Sequence, residues 1–378
     1  MSNNIAIPFN MPAKTGQELN YIQDALECNT MSGNGKYTRL CEAWFEEHFK
    51  CEKALLVTSC THALEMAAIL LNIQPGDEVI MPSYTFVSTA NAFALRGAKI
   101  VFIDIEPDTM NMNTQLLSSL ITPRTKCIVP VHYAGVPCDM KSIMRIANLH
   151  NIKVVEDAAQ CLGSYQYGEP VGSTGHLSTF SFHETKNITA AGEGGMLVIN
   201  DETLALRAEI IREKGTNRGQ FFRGEIDKYS WVDIGSSYLL GELNAAYLFC
   251  QLNALDDISR QRRELWNIYH QTLSVSDEFA VPPQYSGTQH NAHIFYVKAQ
   301  APANRPVILK YLRRLGIEAV FHYVPLHSST MGQKHGRCPL SMKHTDHESS
   351  RIFRLPLYHG LSIQQVETVS DALLSFSR

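Results

Sequence analysis

No two cysteines in this chain are spaced Cys-x-x-Cys, and the nine present (residues 28, 41, 51, 60, 127, 138, 161, 250 and 338) are odd in number and scattered. That pattern excludes a structural zinc site of the usual spacing, argues against a disulfide framework and suits a reducing compartment. No apolar run approaches the roughly 20 residues of a membrane span. Residues 1–10 lack the basic start and apolar stretch of a signal peptide. The expected location is the cytoplasm, with no membrane partner. Excess charge is missing too: 33 Lys and Arg against 37 Asp and Glu leave a formal net charge of -4. Nothing there calls for nucleic acid. Repeats and low-complexity segments are absent. What remains is 378 residues, 44% hydrophobic and 19% charged, enough for one large core and a smaller appended domain.

Short apolar runs alternate with helical patterns through the first half. Strands are expected at Ala54–Thr58, Glu78–Met81, Lys99–Ile105, Lys126–Val131, Ile152–Glu156, Leu177–Phe182 and Met196–Ile199. Helices are expected at residues 16–49, broken by the Ser32–Gly35 turn, from Thr61, at Ser88–Leu95, from an Asn113 cap, and at Met140–Leu149. Near-continuous apolar strands separated by helices predict an α/β fold with a doubly wound, mostly parallel sheet. After Asn200 the pattern changes. It predicts a helix over Glu202–Lys214, a basic loop over Gly215–Lys228 and a helical connector over Glu242–Leu273. Beyond these it predicts a strand at His293–Ala299, a helix at Pro306–Leu315, a strand at Glu318–Tyr323 and a last helix at Ile363–Phe376. The division expected is residues 1–245 as the large domain and 246–378 as connector helix and small C-terminal α+β domain. His344, Asp346, His347 and Glu348 have the residue types of a metal site. They are read as a polar surface loop, and no metal is expected.

Ligands of open α/β sheets sit beyond the carboxyl ends of the strands, and three such ends carry unusual residues. Thr58-Ser-Cys-Thr-His62 passes from strand to helix with hydroxyls but no lysine or arginine between residues 54 and 64. An anion held there would rest on backbone N–H groups at a helix start, although a plain N-cap needs the same residues. Asp157 follows an apolar run, so it belongs at a strand tip, where a buried carboxylate needs a partner. Lys186 lies on a tight loop between two apolar strands. Taken alone, the loop suits a surface-turn lysine; an ammonium seated between the strands is instead paired, desolvated or used covalently, and a desolvated lysine is a nucleophile toward carbonyls. A phosphate cradle, a carboxylate and a lysine together are what pyridoxal phosphate requires: an imine to the amine, an acid at the pyridine nitrogen, and amides around the phosphate.

Five segments strengthen this: Ser59-Cys-Thr-His-Ala-Leu64, Met81-Pro-Ser-Tyr-Thr-Phe-Val87, Glu156-Asp-Ala-Ala-Gln160, Phe180-Ser-Phe-His-Glu-Thr-Lys186 and Gly192-Glu-Gly-Gly195. They resemble the DegT/StrS-type nucleotide-sugar aminotransferases, a fold-type-I pyridoxal phosphate family. The resemblance runs from Ile7-Pro-Phe9 to Arg354-Leu-Pro-Leu357. It implies that Lys186 is the Schiff-base lysine and proton shuttle, that Asp157 pairs with the pyridinium nitrogen, and that Gln160 lies near the ring hydroxyl. Phe86 would stack on the ring, though an aromatic after a strand equally suits a core. Thr61 and His62 would offer N–H groups to the phosphate, and Ser181 its hydroxyl. Ser237 matches a position where many relatives place an asparagine that reaches the partner subunit's phosphate. Cys60 stands where relatives often have glycine, so the loop must turn without a positive φ. His183 and His327 would line the sugar-nucleotide pocket, and each equally suits a structural role. Arg218, Arg223 and Lys228 would meet a diphosphate or form a solvated charge run.

Within the family, Val131-His-Tyr-Ala-Gly135, Lys214-Gly-Thr-Asn-Arg218 and Trp231-Val-Asp-Ile-Gly-Ser-Ser-Tyr238 are most similar to the branch making dTDP-4-amino-4,6-dideoxygalactose for enterobacterial common antigen. The resemblance implies a homodimer with composite active sites. It also implies amino transfer from L-glutamate to the C4 ketone of dTDP-4-oxo-6-deoxy-D-glucose. A transaminase making the gluco epimer, or one acting at C3, is the alternative. A sugar dehydratase of this type carries histidine in place of the lysine. A non-catalytic pyridoxal phosphate-binding regulator would need a DNA-reading module, which the sequence does not show.

Overall fold

The computed structural model describes residues 6–376. Two helices, α1 (Glu18–Glu27) and α2 (Lys36–Phe49), precede the alternating part. That part runs β1 (Lys53–Val57), α3 (Cys60–Leu70), β2 (Glu78–Pro82), α4 (Val87–Ala94), β3 (Lys99–Ile103), α5 (Thr114–Leu120), β4 (Thr125–Ile128), α6 (Met140–Leu149) and β5 (Lys153–Asp157). A small hairpin, β6 (Tyr165–Gln166) and β7 (Glu169–Pro170), then leads to β8 (Leu177–Ser181) and β9 (Gly195–Ile199). Helices α7 (Ala205–Arg212), α8 (Arg218–Phe222), α9 (Glu242–Asn253) and α10 (Leu255–Leu273) follow. The last third holds β10 (Phe279–Ala280), β11 (Thr288–Gln289), β12 (Phe295–Ala299), α11 (Asn304–Arg314), α12 (Thr330–His335), β13 (Gly336–Arg337), α13 (Lys343–Arg351), β14 (Ile352–Leu355) and α14 (Ile363–Phe376).

The main sheet has the order β1-β9-β8-β5-β4-β2-β3-β13, and only β9 runs against the others. This is the expected mostly parallel α/β sheet. Its strands read as unbroken apolar runs because both faces are covered. In β1, Leu55 and Val57 face α3, while Ala54 and Leu56 face α2 and α9, and all four are fully buried. Each large side chain so placed stabilises the sheet by roughly 1.5–3 kcal/mol relative to exposure. A second antiparallel sheet, β10-β12-β14, packs Phe295, Val297, Phe353 and Leu355 against α10, α11 and α14. The N-terminal segment crosses to it, where Ile7 pairs with Ile317.

Several expectations are corrected. Glu318–Tyr323 is not a strand: its backbone pairs at two isolated points, the Glu318 N–H donating to the Ile7 carbonyl (3.0 Å) and Val320 exchanging both hydrogen bonds with Arg354 (3.1 and 2.7 Å), and His322 and Tyr323 then turn into a cavity. The helix expected over Glu202–Lys214 divides into a 3-10 turn, Glu202–Leu204, and α7. The basic loop contains α8. His344–Glu348 is no surface loop but lies within α13: Thr345 donates to Asp104 (2.7 Å), and Glu348 pairs with buried Lys298 (2.9 Å). Among the described residues no cluster of His, Cys, Asp and Glu could hold a metal, and no helix is long and apolar enough to cross a membrane.

Candidate active site

Beyond the carboxyl ends of β1, β2, β5 and β8 lies a cavity of about 530 Å³. The register of the sheet builds one corner of it, because Gly195 pairs with Val57 on one side and with Ser181 on the other. A Cβ at position 195 would collide with the Ser59–Cys60 peptide, so only glycine lets β9 approach the start of α3 this closely. Ser59 caps α3, its Oγ accepting from the His62 N–H (3.1 Å) and its carbonyl from Ala63 (3.0 Å). Among the described residues nothing accepts from the N–H groups of Cys60 and Thr61. They stand at the positive end of α3 beside the Ser181 hydroxyl, and all three residues line the cavity.

Asp157 ends β5 with its carboxylate buried at the cavity wall. Oδ2 accepts from Thr89 Oγ1 (2.7 Å) and Oδ1 from the Ala159 N–H (3.2 Å). Burial pushes this carboxyl above the ordinary aspartate value; Thr89, Ala159 and the charge of Lys186 act the other way. Gln160 is tied at both ends, Oε1 accepting from the Ala134 N–H (2.7 Å) and Nε2 donating to Tyr323 Oη (3.2 Å). Phe86 stands at the N-cap of α4, 55% exposed, and lines the cavity rather than the core.

Lys186 lies in the turn after β8, its N–H donating to the His183 carbonyl (2.9 Å). Among the described residues its amine has no hydrogen-bond or ion-pair partner. Burial holds the amine below the ordinary lysine value; the fields of Cys60 and Asp157 oppose this and that of Arg354 adds to it. The turn itself is fixed: Asn187 donates to the Asn291 carbonyl (2.8 Å) and accepts from His293 Nδ1 (3.0 Å). His183 also lines the cavity, with Nδ1 accepting from the Thr185 N–H (3.2 Å) and Nε2 3.6 Å from Glu193.

The opposite wall was not anticipated. It consists of His293, His322, Tyr323 and Arg354, brought in by β14 and the segments before β12 and after α11. One sequence signal existed: an arginine inside the apolar strand Ile352-Phe-Arg-Leu355.

Six residues marked in the sequence stand outside this cavity, among them Arg223, which pairs with Glu209 (2.9 Å) and Glu225 (2.5 Å). The His62 N–H belongs to Ser59, and its ring lies against Tyr238, at 5.2 Å, with Nδ1 on Thr58. His327 staples Ser83 to α13, with Nδ1 2.7 Å from Ser83 Oγ and Nε2 3.2 Å from Asp346. Ser237, Arg218 and Lys228 are exposed on the 213–238 segment. Arg218 lies over the Phe222 ring at 4.9 Å.

A mostly parallel sheet with one reversed strand, and a strand-tip aspartate and turn lysine facing one cavity, define a fold-type-I pyridoxal phosphate transferase. Residues 12–374 match the model of the DegT/DnrJ/EryC1/StrS aminotransferase family, and the chain belongs to that family. It is an aminotransferase. Among solved structures it resembles the aminotransferase TlmJ from Streptoalloteichus hindustanus, at 29% identity and a TM-score of 0.91, over 98% of this chain and 100% of that one. DesV from S. venezuelae, in complex with a ketimine intermediate, matches at 28% identity and a TM-score of 0.89 over 98% of each chain. Helicobacter pylori PseC, an aminotransferase involved in the biosynthesis of pseudoaminic acid, matches at 26% identity and 0.89, again over 98% of each chain.

Proposed function

We propose that this protein transfers the amino group of L-glutamate to the C4 ketone of dTDP-4-oxo-6-deoxy-D-glucose. The products are dTDP-4-amino-4,6-dideoxy-D-galactose and 2-oxoglutarate, and the cofactor is pyridoxal 5′-phosphate. The observation that carries the reading is an unpartnered, desolvated Lys186 sharing one cavity with the Asp157 carboxylate.

The residues fit the cofactor. The free N–H groups of Cys60 and Thr61, with the Ser181 hydroxyl, would hold its phosphate in the corner that Gly195 keeps open. Asp157 would hold the pyridine nitrogen in its protonated form, Phe86 would lie against the ring, and Gln160 would reach the ring hydroxyl. Bound there, the cofactor supplies an electron sink through which an amino group passes from one carbon to another. Lys186, held below the ordinary lysine value, has access to its neutral form. It takes the proton from the donor's α-carbon and delivers one to C4 of the sugar, as a positioned general acid–base. Donor and sugar use one cavity in turn, so the kinetics are ping-pong.

A sugar acceptor is supported by PseC, whose role is in pseudoaminic acid synthesis. The galacto branch is supported by the similarity of segments 131–135, 214–218 and 231–238. The last two belong to a surface on which Phe222, Trp231 and Val232 are 68%, 78% and 50% exposed. Apolar exposure on that scale supports a second copy docking there, bringing Ser237, Arg218 and Lys228 toward the partner's cavity. The reading includes a cytoplasmic location, supported by nine unpaired cysteines.

The test has two parts. Borohydride reduction of the holoenzyme followed by peptide mass spectrometry should place the cofactor on Lys186, and Lys186→Ala should lower turnover by more than about 10³-fold. Product formed from L-glutamate and dTDP-4-oxo-6-deoxyglucose should show the small H3–H4 proton coupling of an axial C4 amine. A label elsewhere, or full turnover by Lys186→Ala, defeats the cofactor assignment. A large coupling, or amination at C3, defeats the galacto assignment alone.

A further inference from the structure

His293 stands on the cavity wall with a ring whose proton the fold has already placed. The Asn291 carbonyl accepts from Asn187 Nδ2 (2.8 Å), which fixes that amide and turns its oxygen to His293 Nδ1 (3.0 Å). Nδ1 therefore carries the hydrogen, and Nε2 is left with a bare lone pair. The backbone of the residue is held as firmly: its N–H donates to Asn291 Oδ1 (3.0 Å), and its carbonyl accepts from Arg262 Nη2 (2.6 Å). Burial, with the charges of Lys186, Arg262 and Arg354, holds the imidazole well below the ordinary histidine value, so the ring is neutral at neutral pH. Among the described residues no group is within hydrogen-bond reach of Nε2. A bare acceptor buried in a wall this tightly built calls for a donor from outside the protein.

A side cavity says what that donor is. It has a volume of about 10 Å³ and shares Gln160, Ser181, Lys186 and His293 with the main cavity. That is room for one water and too little for any part of a substrate. Of its polar lining, the amides of Asn187, Asn291 and Gln160 are already engaged with the protein. The Lys186 amine, the Ser181 hydroxyl and His293 Nε2 are left to hold the water. Amino transfer needs one. The amino group leaves its donor through a carbon–nitrogen double bond, and release of the oxo acid is the hydrolysis of that bond. The water's oxygen bonds to carbon as the π pair moves to nitrogen. When the carbon–nitrogen bond then breaks and the carbonyl forms, both water protons end on the nitrogen as NH₂. A base has to take the first of them while the oxygen attacks. From this geometry, and on the aminotransfer reading above, we infer that the side cavity seats this water and that His293 Nε2 is the base. Amination of the sugar ketone runs the same step backwards and returns a water to the same seat. Lys186 moves protons at carbon, and His293 moves them at oxygen.

Two measurements on the holoenzyme test this. In ¹⁵N-histidine NMR at neutral pH, the ring whose signals vanish in His293→Asn should be neutral with its proton on Nδ1. A proton on Nε2 overturns the assignment. The second measurement separates carbon from oxygen. His293→Asn keeps an N–H toward Asn187 and removes the base. With L-glutamate alone, exchange of the α-hydrogen with deuterated solvent requires no hydrolysis. It should stay within about threefold of wild type, whereas release of 2-oxoglutarate in a single turnover should fall by about 10²-fold. A merely structural role would leave the ratio of these two rates unmoved. If His293→Asn folds poorly, His293→Gln carries the same comparison with a non-basic amide at the far end of the ring's place. An equal loss of exchange and release makes His293 a prop for the Lys186 turn, and no loss of either gives the water to Lys186; both results overturn the inference. A wild-type holoenzyme that neither exchanges nor deaminates any amino acid brings down the aminotransfer reading, and the role of His293 with it.

Discussion

Glu156 and Asp157 are neighbours at the tip of β5, and both are buried. Glu156 accepts from His132 Nε2 (2.7 Å), the Thr174 N–H (2.9 Å) and the Gly175 N–H, and Ser178 Oγ, whose proton goes to the Gly172 carbonyl (2.6 Å), lies 3.3 Å away. His132 Nδ1 in turn accepts from the Cys138 N–H (3.0 Å), which turns Nε2–H toward Glu156. Asp157 has only Thr89 and one N–H, and its remaining surroundings are the cavity. Alternation along a strand sends successive side chains to opposite faces. One carboxylate is thereby completed by the protein and the other is left for a ligand. A full complement of donors marks a structural charge, and an incomplete one marks a site.

The largest expected effect comes from removing the incomplete charge. Asp157→Asn keeps the shape and the contact to Thr89 but removes the charge that would sustain a protonated ring nitrogen. Turnover should fall by about 10²- to 10⁴-fold, measured on glutamate and the nucleotide sugar, with native circular dichroism. Equal activity would end the distinction between the two carboxylates.

Glu156→Gln should act the other way, sparing the chemistry and costing stability. It turns an NH₂ group toward donors and leaves them unsatisfied, a loss of about 3 kcal/mol in urea unfolding. The pH dependence should separate the pair more sharply. Glu156 is held below the ordinary value of 4.5: burial alone would raise it, but the bonds from His132, Gly175 and Thr174 outweigh that. Its contribution is present above pH 4.5 and is lost as pH falls through the folded value. Asp157 is held above 3.8, chiefly by burial, so its ionisation costs stability at neutral pH, and the cost disappears on acidification. In cofactor-free protein at pH 7, Asp157→Asn should therefore be more stable than wild type and Glu156→Gln less. The first difference should vanish below about pH 3.8, and the second should shrink as pH falls below 4.5.

The same contrast explains how far the sequence could be read. Strands that are apolar on both faces end abruptly in a polar residue, so Asp157, Ser181 and the turn holding Lys186 stand out without coordinates. What a neighbouring group already occupies does not stand out. That Ser59 takes the His62 N–H, or that His327 turns to Ser83, depends on cap and loop geometry with no periodic trace. Glu318–Tyr323 has the composition of a strand, but it meets Ile7 and Arg354 at isolated points without a continuous ladder, and continuous pairing is what makes a strand. The α13 residues read as a surface because their partners, Asp104 and Lys298, are distant in the chain. The wall of His293, His322 and Arg354 is assembled from three separate segments. Its only local signal was a charge in an apolar strand.

The smallest expected effect tests the comparison at the level of one hydroxyl. Thr89 donates to Asp157 Oδ2 (2.7 Å) and shares a second hydrogen bond with Thr85 (2.8 Å). Thr89→Val keeps the volume and removes one of the two protein donors on that carboxylate, a change of about 1 kcal/mol, or about fivefold in kcat/KM. Ser178 makes a longer contact to Glu156 (3.3 Å), which has three donors without it, so Ser178→Ala should leave kcat/KM within about twofold. Few donors on Asp157 make each one count in the chemistry, whereas the donors on Glu156 share a load borne by the fold. A Ser178→Ala enzyme slowed as much as Thr89→Val would show that both carboxylates act on the cavity, and the division between them would have to be redrawn.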